Sequence, residues 1–520
     1  MKFMNSVFSK SRLLVWLALI LPTMTWAQTD SKPNIIFIFS DDHAYQAIGA
    51  YGNKFAKTPN IDRIAREGAL LSNNLVTNSI CGPSRATLLT GKYSHKNGYP
   101  RNDDTRFNTN QTLFPEVLQQ NGYQTAWIGK MHLNSLPKGF DYWNILPGQG
   151  RYYNPHFISQ PNDTTLYKGY VSDVITQFST DWLDKRDPSK PFFMIVGHKA
   201  VHREWSPALE DLGAYDDVNF PLPANFYDTY EGRKAARDQD MSIDKTMRMK
   251  EDLKVNVNYD KDYLYKHLDP EQKKIFKAYY EKISKEPTEK NLTGKALIEW
   301  KYQRYIKDYL ATANSLDRNI GRLLDYLDQK GLSKNTVVIY ASDQGFYMGE
   351  HGWFDKRFIY EESLKTPFVI RYPGVVKPGS KLDQLVMNID WAPTVLNIAN
   401  AKIPADIQGK SFLPLLKSTT HTAKVPWRKD AYYHYYEFPE PHHVFPHFGI
   451  RTDRYKLAYF YGGADSWELY DLKTDPSEMN NLYGNKQTEK LTADLKTRLK
   501  ALMAEYQDDE ALKILQTAKK

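Results

Sequence analysis

The residues best suited to chemistry in this chain are grouped around Cys81, the one cysteine among 520 residues. Residues 81–91 read CGPSRATLLTG. Pro83 favours the first turn of a helix and Gly91 suits the position just beyond its end, so we expect Cys81 at a helix N-terminus. The unpaired N–H groups at such an end favour an anion, and Arg85 follows about one turn later on the same face. The pattern predicts a nucleophile beside an oxyanion.

The first 27 residues are typical of a signal peptide. Lys2, Lys10 and Arg12 precede an apolar stretch over 13–21, and a small-residue site ends at Ala27. The stretch is short for a membrane span, and no later segment approaches the roughly 20 apolar residues that a bilayer requires. We therefore predict cleavage after residue 27, no membrane span in the mature protein, and a periplasmic or secreted location.

The predicted export of the protein limits the possible roles of Cys81. It has no disulfide partner within the chain, which leaves a buried structural residue, an intermolecular bridge, a free reactive thiol or a site of modification. The residues that follow Cys81 favour modification.

Three apolar runs, at 35–39, 192–196 and 337–340, predict strands that are buried on both faces. Polar residues follow each run: Asp41 and Asp42 the first, His198 and His202 the second, and Asp343 and Gln344 the third. Ligands of open α/β sheets bind outside the carboxyl ends of the strands, so we expect these segments to converge on one crevice. The carboxylate and amide oxygens are of the hard type that calcium prefers.

The pattern predicts an α/β fold with a large central mixed, mostly parallel sheet flanked by helices. Apolar residues at helical spacing over 309–327, with Gly331 as a stop, predict a helix that packs on this sheet. Strand-like segments at 430–438, 448–451 and 455–460, and a charged helix from about residue 487, predict a smaller C-terminal antiparallel sheet and helix subdomain. The expected domains are 1–27, 28–425 (catalytic) and 426–520 (an α+β subdomain).

Charge argues against a nucleic-acid partner. The leader carries three of the 69 Lys and Arg residues and none of the 61 Asp and Glu residues, so the mature chain has a basic excess of five. This excess is small and scattered, whereas acidic glycans remain suitable partners. Residues 216–295 are rich in Lys, Asp and Glu and predict a solvated insertion with helical pieces.

Residues 81–91 resemble the signature of type I formylglycine-dependent sulfatases of the alkaline phosphatase superfamily, C-x-P-S-R-x-x-x-L-T-G, at every fixed position. The resemblance implies that a formylglycine-generating enzyme converts Cys81 to formylglycine (3-oxoalanine). It also implies one Ca²⁺ held by Asp41, Asp42, Cys81, Asp343 and Gln344. Gln344 departs from the family's commoner asparagine.

Other segments resemble the family in the same order along the chain. Residues 129–133, GKMHL, are similar to its lysine and histidine pair, and Lys356 follows GEHG at 349–352 as its second sulfate-facing lysine. The implied catalytic residues are Cys81, Arg85, Lys130, His132, His202 and Lys356. In this implied mechanism hydrated formylglycine attacks sulfur, the S–O bond breaks, His202 protonates the leaving oxygen, and His132 takes a proton as sulfate leaves.

Loops around the pocket are expected to select the substrate. The candidate residues are Arg101, Asp104, Arg203, Trp205, His434 and His443. Residues 198–205 and 437–451 resemble bacterial polysaccharide sulfatases, including N-acetylglucosamine-6-sulfatases, and also relatives that act on marine glycans such as ulvan. A sulfated polysaccharide or oligosaccharide is therefore the expected substrate.

Two other functions are alternatives to this one. A phosphatase or phosphodiesterase of the same superfamily should have a Ser or Thr nucleophile and enough His and Asp for two zinc ions, and neither arrangement is obvious here. A noncatalytic glycan-binding protein with the same fold should keep Cys81 unmodified.

Overall fold

The computed structural model describes residues 32–103, 105–420 and 425–517. The predicted signal peptide and the predicted substrate-binding residue Asp104 therefore lie outside the described residues. Within the described ranges, no helix combines the length and the apolar character that crossing a membrane requires.

Strands of the described residues form a ten-stranded, a two-stranded and a four-stranded sheet. In chain order the strands are β1 (Asn34–Ser40), β2 (Ala69–Leu71), β3 (Asn74–Leu75), β4 (Gln124–Lys130), β5 (Tyr142–Leu146), β6 (His156–Ser159), β7 (Asp163–Leu166), β8 (Phe192–Gly197), β9 (Thr336–Ser342), β10 (Phe368–Arg371), β11 (Ser380–Leu382), β12 (Val386–Met387), β13 (Asp430–Tyr435), β14 (His447–Thr452), β15 (Tyr455–Phe460) and β16 (Ser466–Asp471). The large sheet has the order β11-β2-β10-β9-β1-β8-β4-β5-β6-β7.

The three predicted buried strands are neighbours at the centre of this sheet. β1 pairs in parallel with both β8 and β9, so all three carboxyl ends lie at one edge. Side chains alternate between faces along a strand, and Ile36 and Ile38 enter one core whereas Phe37 and Phe39 enter the other. β10 runs antiparallel to β9. The sheet is mixed and mostly parallel, as predicted.

The described residues form thirteen α-helices. They are α1 (Pro59–Arg66), α2 (Cys81–Thr90), α3 (Ser94–Asn97), α4 (Phe114–Gln120), α5 (Val171–Lys185), α6 (Lys234–Asp238), α7 (Pro270–Glu289), α8 (Gly294–Gln329), α9 (Glu361–Leu364), α10 (Trp391–Ile398), α11 (Leu413–Ser418), α12 (Glu489–Glu505) and α13 (Asp509–Thr517). The predicted helix over 309–327 lies within α8, which packs against α1 and α5 and buries Tyr309, Leu316 and Ile320. Gly331 follows its end with a φ of +68°, a conformation that favours glycine.

The C-terminal strands β13 to β16 form an antiparallel sheet in sequential order. α12 lies against it, and Leu495 and Leu499 share a core with Ile450 and Leu469. The predicted antiparallel sheet and its helix are confirmed, while the boundary at 425/426 stays a prediction.

The charged segment 216–295 is packed more deeply than expected. Phe226, Leu253, Tyr265 and Phe276 are buried in the same core cluster as β1 and α8. Many of its charged residues lie on the exposed face of α7 and in turns, but Arg233, Asp252 and Lys254 are themselves buried. The predicted helical pieces are present as α6 and α7, but the prediction that the segment is solvated is wrong at these buried positions.

Candidate active site

Cys81 opens α2 at the bottom of the site. Ile80 precedes the helix in an extended conformation, and Gly91 closes it with a φ of +62°, as the sequence predicts. Gly82 is also required, because a Cβ there would lie 2.5 Å from Asn102 Oδ1. The backbone N–H of Gly82 instead donates to that oxygen at 2.9 Å. The helix start is thus held in place by close backbone packing.

Three carboxylates, from Asp41, Asp42 and Asp343, meet at the carboxyl ends of β1 and β9. All three are fully buried. Ligand atoms of Asp41, Cys81 and Asp343 lie within 4.8 Å of one another. Burial and the nearby charge of Asp41 raise the pKa of Asp343 well above its usual range. Buried like charges at this spacing favour a neutralising cation.

Two oxygens of this cluster have no hydrogen-bond partner among the described residues. They are Asp41 Oδ1 and Gln344 Oε1, both buried. The Gln344 amide nitrogen donates to Asp42 Oδ1 and lies 3.7 Å from Cys81 Sγ. A buried oxygen without a donor costs free energy unless an ion or water satisfies it. Carboxylate and amide oxygens in this arrangement fit a hard divalent cation such as Ca²⁺.

Each carboxylate of the cluster is paired with a buried cation. The pairs are Arg85 with Asp343 at 2.9 Å, Lys356 with Asp42 at 2.7 Å, and Lys130 with Asp41. Burial alone would lower the pKa of Lys356, but Asp42 and Cys81 raise it well above its usual range. Each buried carboxylate of the cluster therefore faces a buried basic side chain.

The unmodified Cys81 thiol is a poor nucleophile in this setting. Its side chain is buried, and burial raises the pKa of the thiol far above its usual range, with Lys356 opposing only part of the rise. The thiolate is the reactive form of cysteine. A buried, protonated thiol argues against both a free reactive thiol and an intermolecular bridge.

His202 and His132 border the cluster. His202 Nδ1 lies 2.6 Å from the Arg203 carbonyl oxygen and therefore carries the hydrogen, while Nε2 faces Asp42 Oδ2 at 3.7 Å. His132 Nε2 lies 3.1 Å from the Gln149 amide nitrogen, from which it accepts. Burial lowers the pKa of both imidazoles well below the usual range. Both rings are therefore neutral here and able to accept a proton.

Gln149 is a site residue that the sequence analysis missed. Its Oε1 accepts from Lys130 Nζ and its Nε2 donates to His132, so it connects these two side chains. It follows β5, which pairs in parallel with β4. Its position after a strand at the same edge of the sheet was the available signal.

Asn102 and Glu437, which the sequence also did not indicate, connect the start of α2 to the segment that follows β13. The Asn102 backbone N–H donates to Glu437 Oε1 at 2.6 Å, and Glu437 Oε2 accepts from Arg357 at 2.7 Å. Asn102 in turn accepts from Gly82. Asn102 and Glu437 are 335 positions apart, so no local pattern could have indicated this contact.

Of the residues predicted to bind substrate, Arg203 is the one among the described residues that the structure brings beside the cluster. It lines a cavity of about 510 Å³ together with His202 and Gln149. Its guanidinium is paired with Asp252 of the charged segment at 2.6 Å.

The other predicted substrate-binding residues lie elsewhere. Trp205 is fully buried against Tyr305, with ring centres 4.6 Å apart. His434 is also fully buried, and its ring nitrogens contact Asp508 and Tyr461 at 2.7 and 2.9 Å. Neither ring is accessible to a substrate, because both belong to packed cores. Arg101 and His443 are exposed, and the described structure shows no contact between them and the cluster.

Two family models match this chain. The family model described as Sulfatase matches residues 33–401, and the one described as N-sulphoglucosamine sulphohydrolase, C-terminal, matches residues 349–505. An N-acetylglucosamine-6-O-sulfatase of Bacteroides thetaiotaomicron is 49% identical over 92% of this chain and 88% of its own. An ulvan-active sulfatase of Formosa agariphila is 27% identical over 92% of this chain and 82% of its own.

A solved structure superposes closely on this fold. It is a protein in complex with its substrate, D-glucosamine-2-N,6-O-disulfate, and it shows a TM-score of 0.89 at 48% identity over 92% of this chain and 99% of that one.

Proposed function

The chain belongs to the sulfatase family and is a sulfate ester hydrolase, and from that premise we propose that its substrate is a 6-O-sulfated N-acetylglucosamine residue of a glycan. The support is the close relative that carries this activity in its name and the superposed structure with a 6-O-sulfated glucosamine bound. Ulvan, the other glycan considered, is named for a relative with much lower identity. The difference in identity favours the glucosamine sulfate.

The observation that carries the proposed mechanism is the convergence of Cys81 with three carboxylates and three cations. Cys81 acts as formylglycine after conversion by a formylglycine-generating enzyme. When hydrated, that group would supply one hydroxyl to attack sulfur and a second whose deprotonation expels sulfate, which a thiol or a serine hydroxyl lacks. The high pKa of the buried thiol supports this reading, because the cysteine itself would not ionise.

Asp41, Asp42, Asp343 and Gln344, together with residue 81, would hold one Ca²⁺. Bound there, the ion would lower the pKa of the nucleophile and neutralise sulfate charge. The unpartnered oxygens of Asp41 and Gln344 support this set. A divalent ion bound there would add positive charge, which complements the sulfate dianion that the reaction releases.

Lys130, Lys356 and Arg85 stabilise the sulfuryl oxygens. Each now contacts a carboxylate, and a bound cation would take over part of that compensation. Fixed, desolvated charges of this kind need no reorganisation during the reaction, which is why they stabilise a transition state effectively.

His202 is the proposed general acid. Its Nδ1–H is held by the Arg203 carbonyl oxygen, so Nε2 is the nitrogen that would carry a proton to the leaving sugar oxygen. An anionic sulfate nearby would favour the imidazolium and oppose the lowering of the pKa by burial. His132, oriented by Gln149, is the proposed acceptor for the proton lost as sulfate departs.

We also propose that the enzyme is exported from the cell. The leader over residues 1–27 supports a periplasmic or secreted enzyme, where extracellular glycan is available. The boundary between a catalytic domain at 28–425 and an α+β subdomain at 426–520 is part of the same proposal.

The test combines a mass measurement with an activity assay. The peptide containing Cys81, taken from protein produced with a formylglycine-generating enzyme, is expected to have the mass of the aldehyde, and the protein is expected to release sulfate from N-acetylglucosamine 6-sulfate. Cys81→Ala should abolish release and leave the unfolding temperature nearly unchanged. Full activity with an intact thiol, or a preference for the matching phosphate ester, would overturn the proposal.

A further inference from the structure

The cavity of about 510 Å³ beside the cluster contains two cations that contact aromatic rings instead of carboxylates. Lys199 is 2% exposed, and its Nζ lies 4.8 Å from the centre of the Tyr152 ring. The Arg151 guanidinium lies 5.6 Å from the centre of the Tyr263 ring. In the described parts of the chain, no carboxylate oxygen lies within 4.0 Å of either cation.

This arrangement differs from that of every cation in the catalytic cluster. Lys130, Lys356 and Arg85 each contact a carboxylate, and Arg203 on the cavity wall contacts Asp252. Glu204 also lines the cavity, but beyond contact distance of Lys199. A buried ammonium without a counter-ion carries a desolvation cost, and an incoming anion would remove much of it.

We propose that this cavity binds a second oxyanion of the substrate and that Lys199 and Arg151 are the residues that hold it. The oxyanion is a sulfate or a carboxylate, which an ammonium and a guanidinium both recognise. Tyr263, whose side chain is exposed, adds apolar ring surface on which a sugar can pack. The cavity volume lies within the roughly 300–1,000 Å³ typical of ligand sites.

The inference rests on the proposed function, because the cavity is shared with the site through His202 and Gln149. An ester bound with its leaving oxygen near His202 would extend the rest of the glycan toward Lys199. The second oxyanion has two possible sources, a sulfate on the same sugar or a carboxylate on the neighbouring sugar. The enzyme would then prefer multiply anionic glycans over singly sulfated ones.

The experiment measures kcat/KM on matched substrates. One pair is glucosamine 2-N,6-O-disulfate and N-acetylglucosamine 6-sulfate. The second pair consists of two disaccharides. In one the 6-sulfated glucosamine is joined to a uronate, and in the other it is joined to a neutral hexose. Lys199→Met is expected to lower the preference for the more anionic member of at least one pair roughly 10- to 100-fold. The pair that responds identifies the source of the oxyanion.

Lys57→Met is the matched control, because Lys57 also lies over a tyrosine ring, that of Tyr215 at 4.9 Å, but does not line this cavity. It should change neither the preference nor the activity. Lys199→Arg keeps the charge and should keep most of the preference, which separates a charge effect from a packing defect. An unchanged preference in Lys199→Met, or an equal loss on both members of each pair, would overturn the inference.

A separate measurement distinguishes failure of this inference from failure of the proposed function. If the matured enzyme releases no sulfate from any of these compounds, the proposed substrate is wrong. Binding of the same compounds to Cys81→Ala and to Cys81→Ala with Lys199→Met, measured by calorimetry, still tests the cavity. The inference is supported if the more anionic compound binds more tightly to Cys81→Ala and loses this advantage when Lys199→Met is added. It is refuted if Cys81→Ala binds both compounds with equal affinity.

Discussion

Replacement of Gln344 by leucine would isolate the contribution of one oxygen to metal binding. Gln344 Oε1 has no partner among the described residues, so removing it takes no hydrogen bond from the metal-free protein, whereas the bond from Nε2 to Asp42 is lost. We expect the metal-free variant to lose about 1.5–3 kcal/mol of unfolding free energy, the contribution of one hydrogen bond to a charged group. Loss of a ligand oxygen should weaken Ca²⁺ binding roughly 100-fold. This is the largest loss of metal affinity typical of mutating a residue that only supports a ligand, and Gln344 is proposed as a ligand itself.

The assay is denaturant unfolding with and without Ca²⁺, with calorimetry to measure the dissociation constant. At a Ca²⁺ concentration 100 times the wild-type constant, binding adds about 2.7 kcal/mol to the unfolding free energy. A site weakened 100-fold adds only about 0.4 kcal/mol at the same concentration. The calcium-dependent stabilisation should therefore nearly disappear in Gln344→Leu.

Gln344→Glu is the matched control. It keeps an oxygen at the position and adds a charge beside Asp42 and Asp343, so the metal-free protein should be less stable than wild type and the stabilisation by Ca²⁺ larger. Wild-type affinity for Ca²⁺ in Gln344→Leu would refute the reasoning, because the unpartnered oxygen would then have no part in holding the ion.

The remaining predictions concern charges in the fold around the site. Glu437→Gln removes the carboxylate that contacts buried Arg357 and should cost about 3–5 kcal/mol in urea unfolding, whereas Glu440→Gln, at an exposed position, should stay within about 0.5 kcal/mol. A loss below 1 kcal/mol in the first variant would contradict the prediction. Burial raises the pKa of Glu468 from 4.5 to about 7, so its contribution to stability is fully present below pH 4.5 and is lost as the pH rises through 7. Glu468→Gln imitates the protonated form and should be about 3 kcal/mol more stable than wild type at pH 8 and equally stable at pH 4, which unfolding curves at the two pH values would check.

Local pattern predicted the parts of the site that short-range chemistry determines. The helix that begins at Cys81 follows from the proline and glycine within 81–91, and the strand before Asp41 follows from five consecutive apolar residues. The rule that ligands gather at the carboxyl ends of parallel strands was sufficient to expect Asp343 beside Asp41. The signature at residues 81–91 and the order of the polar segments along the chain were sufficient to predict the family.

Long-range contacts account for what the sequence could not indicate. Gln149 and Glu437 reach the site from loops with no distinctive motif, and their roles depend on contacts with Lys130 and Asn102 that only chain folding creates. Trp205 and His434 have residue types suited to sugar binding, yet packing buries both.

By itself, the sequence determined which chemical groups are present, which local elements carry them, and that Cys81 stands at a helix start. The tertiary structure decided which of those groups are buried and which cation faces which carboxylate. It also decided that Lys199 has no carboxylate oxygen within 4.0 Å among the described residues. The physical reason is that helix and strand formation depend on neighbours along the chain. Burial, pKa and ion pairing depend instead on neighbours in space.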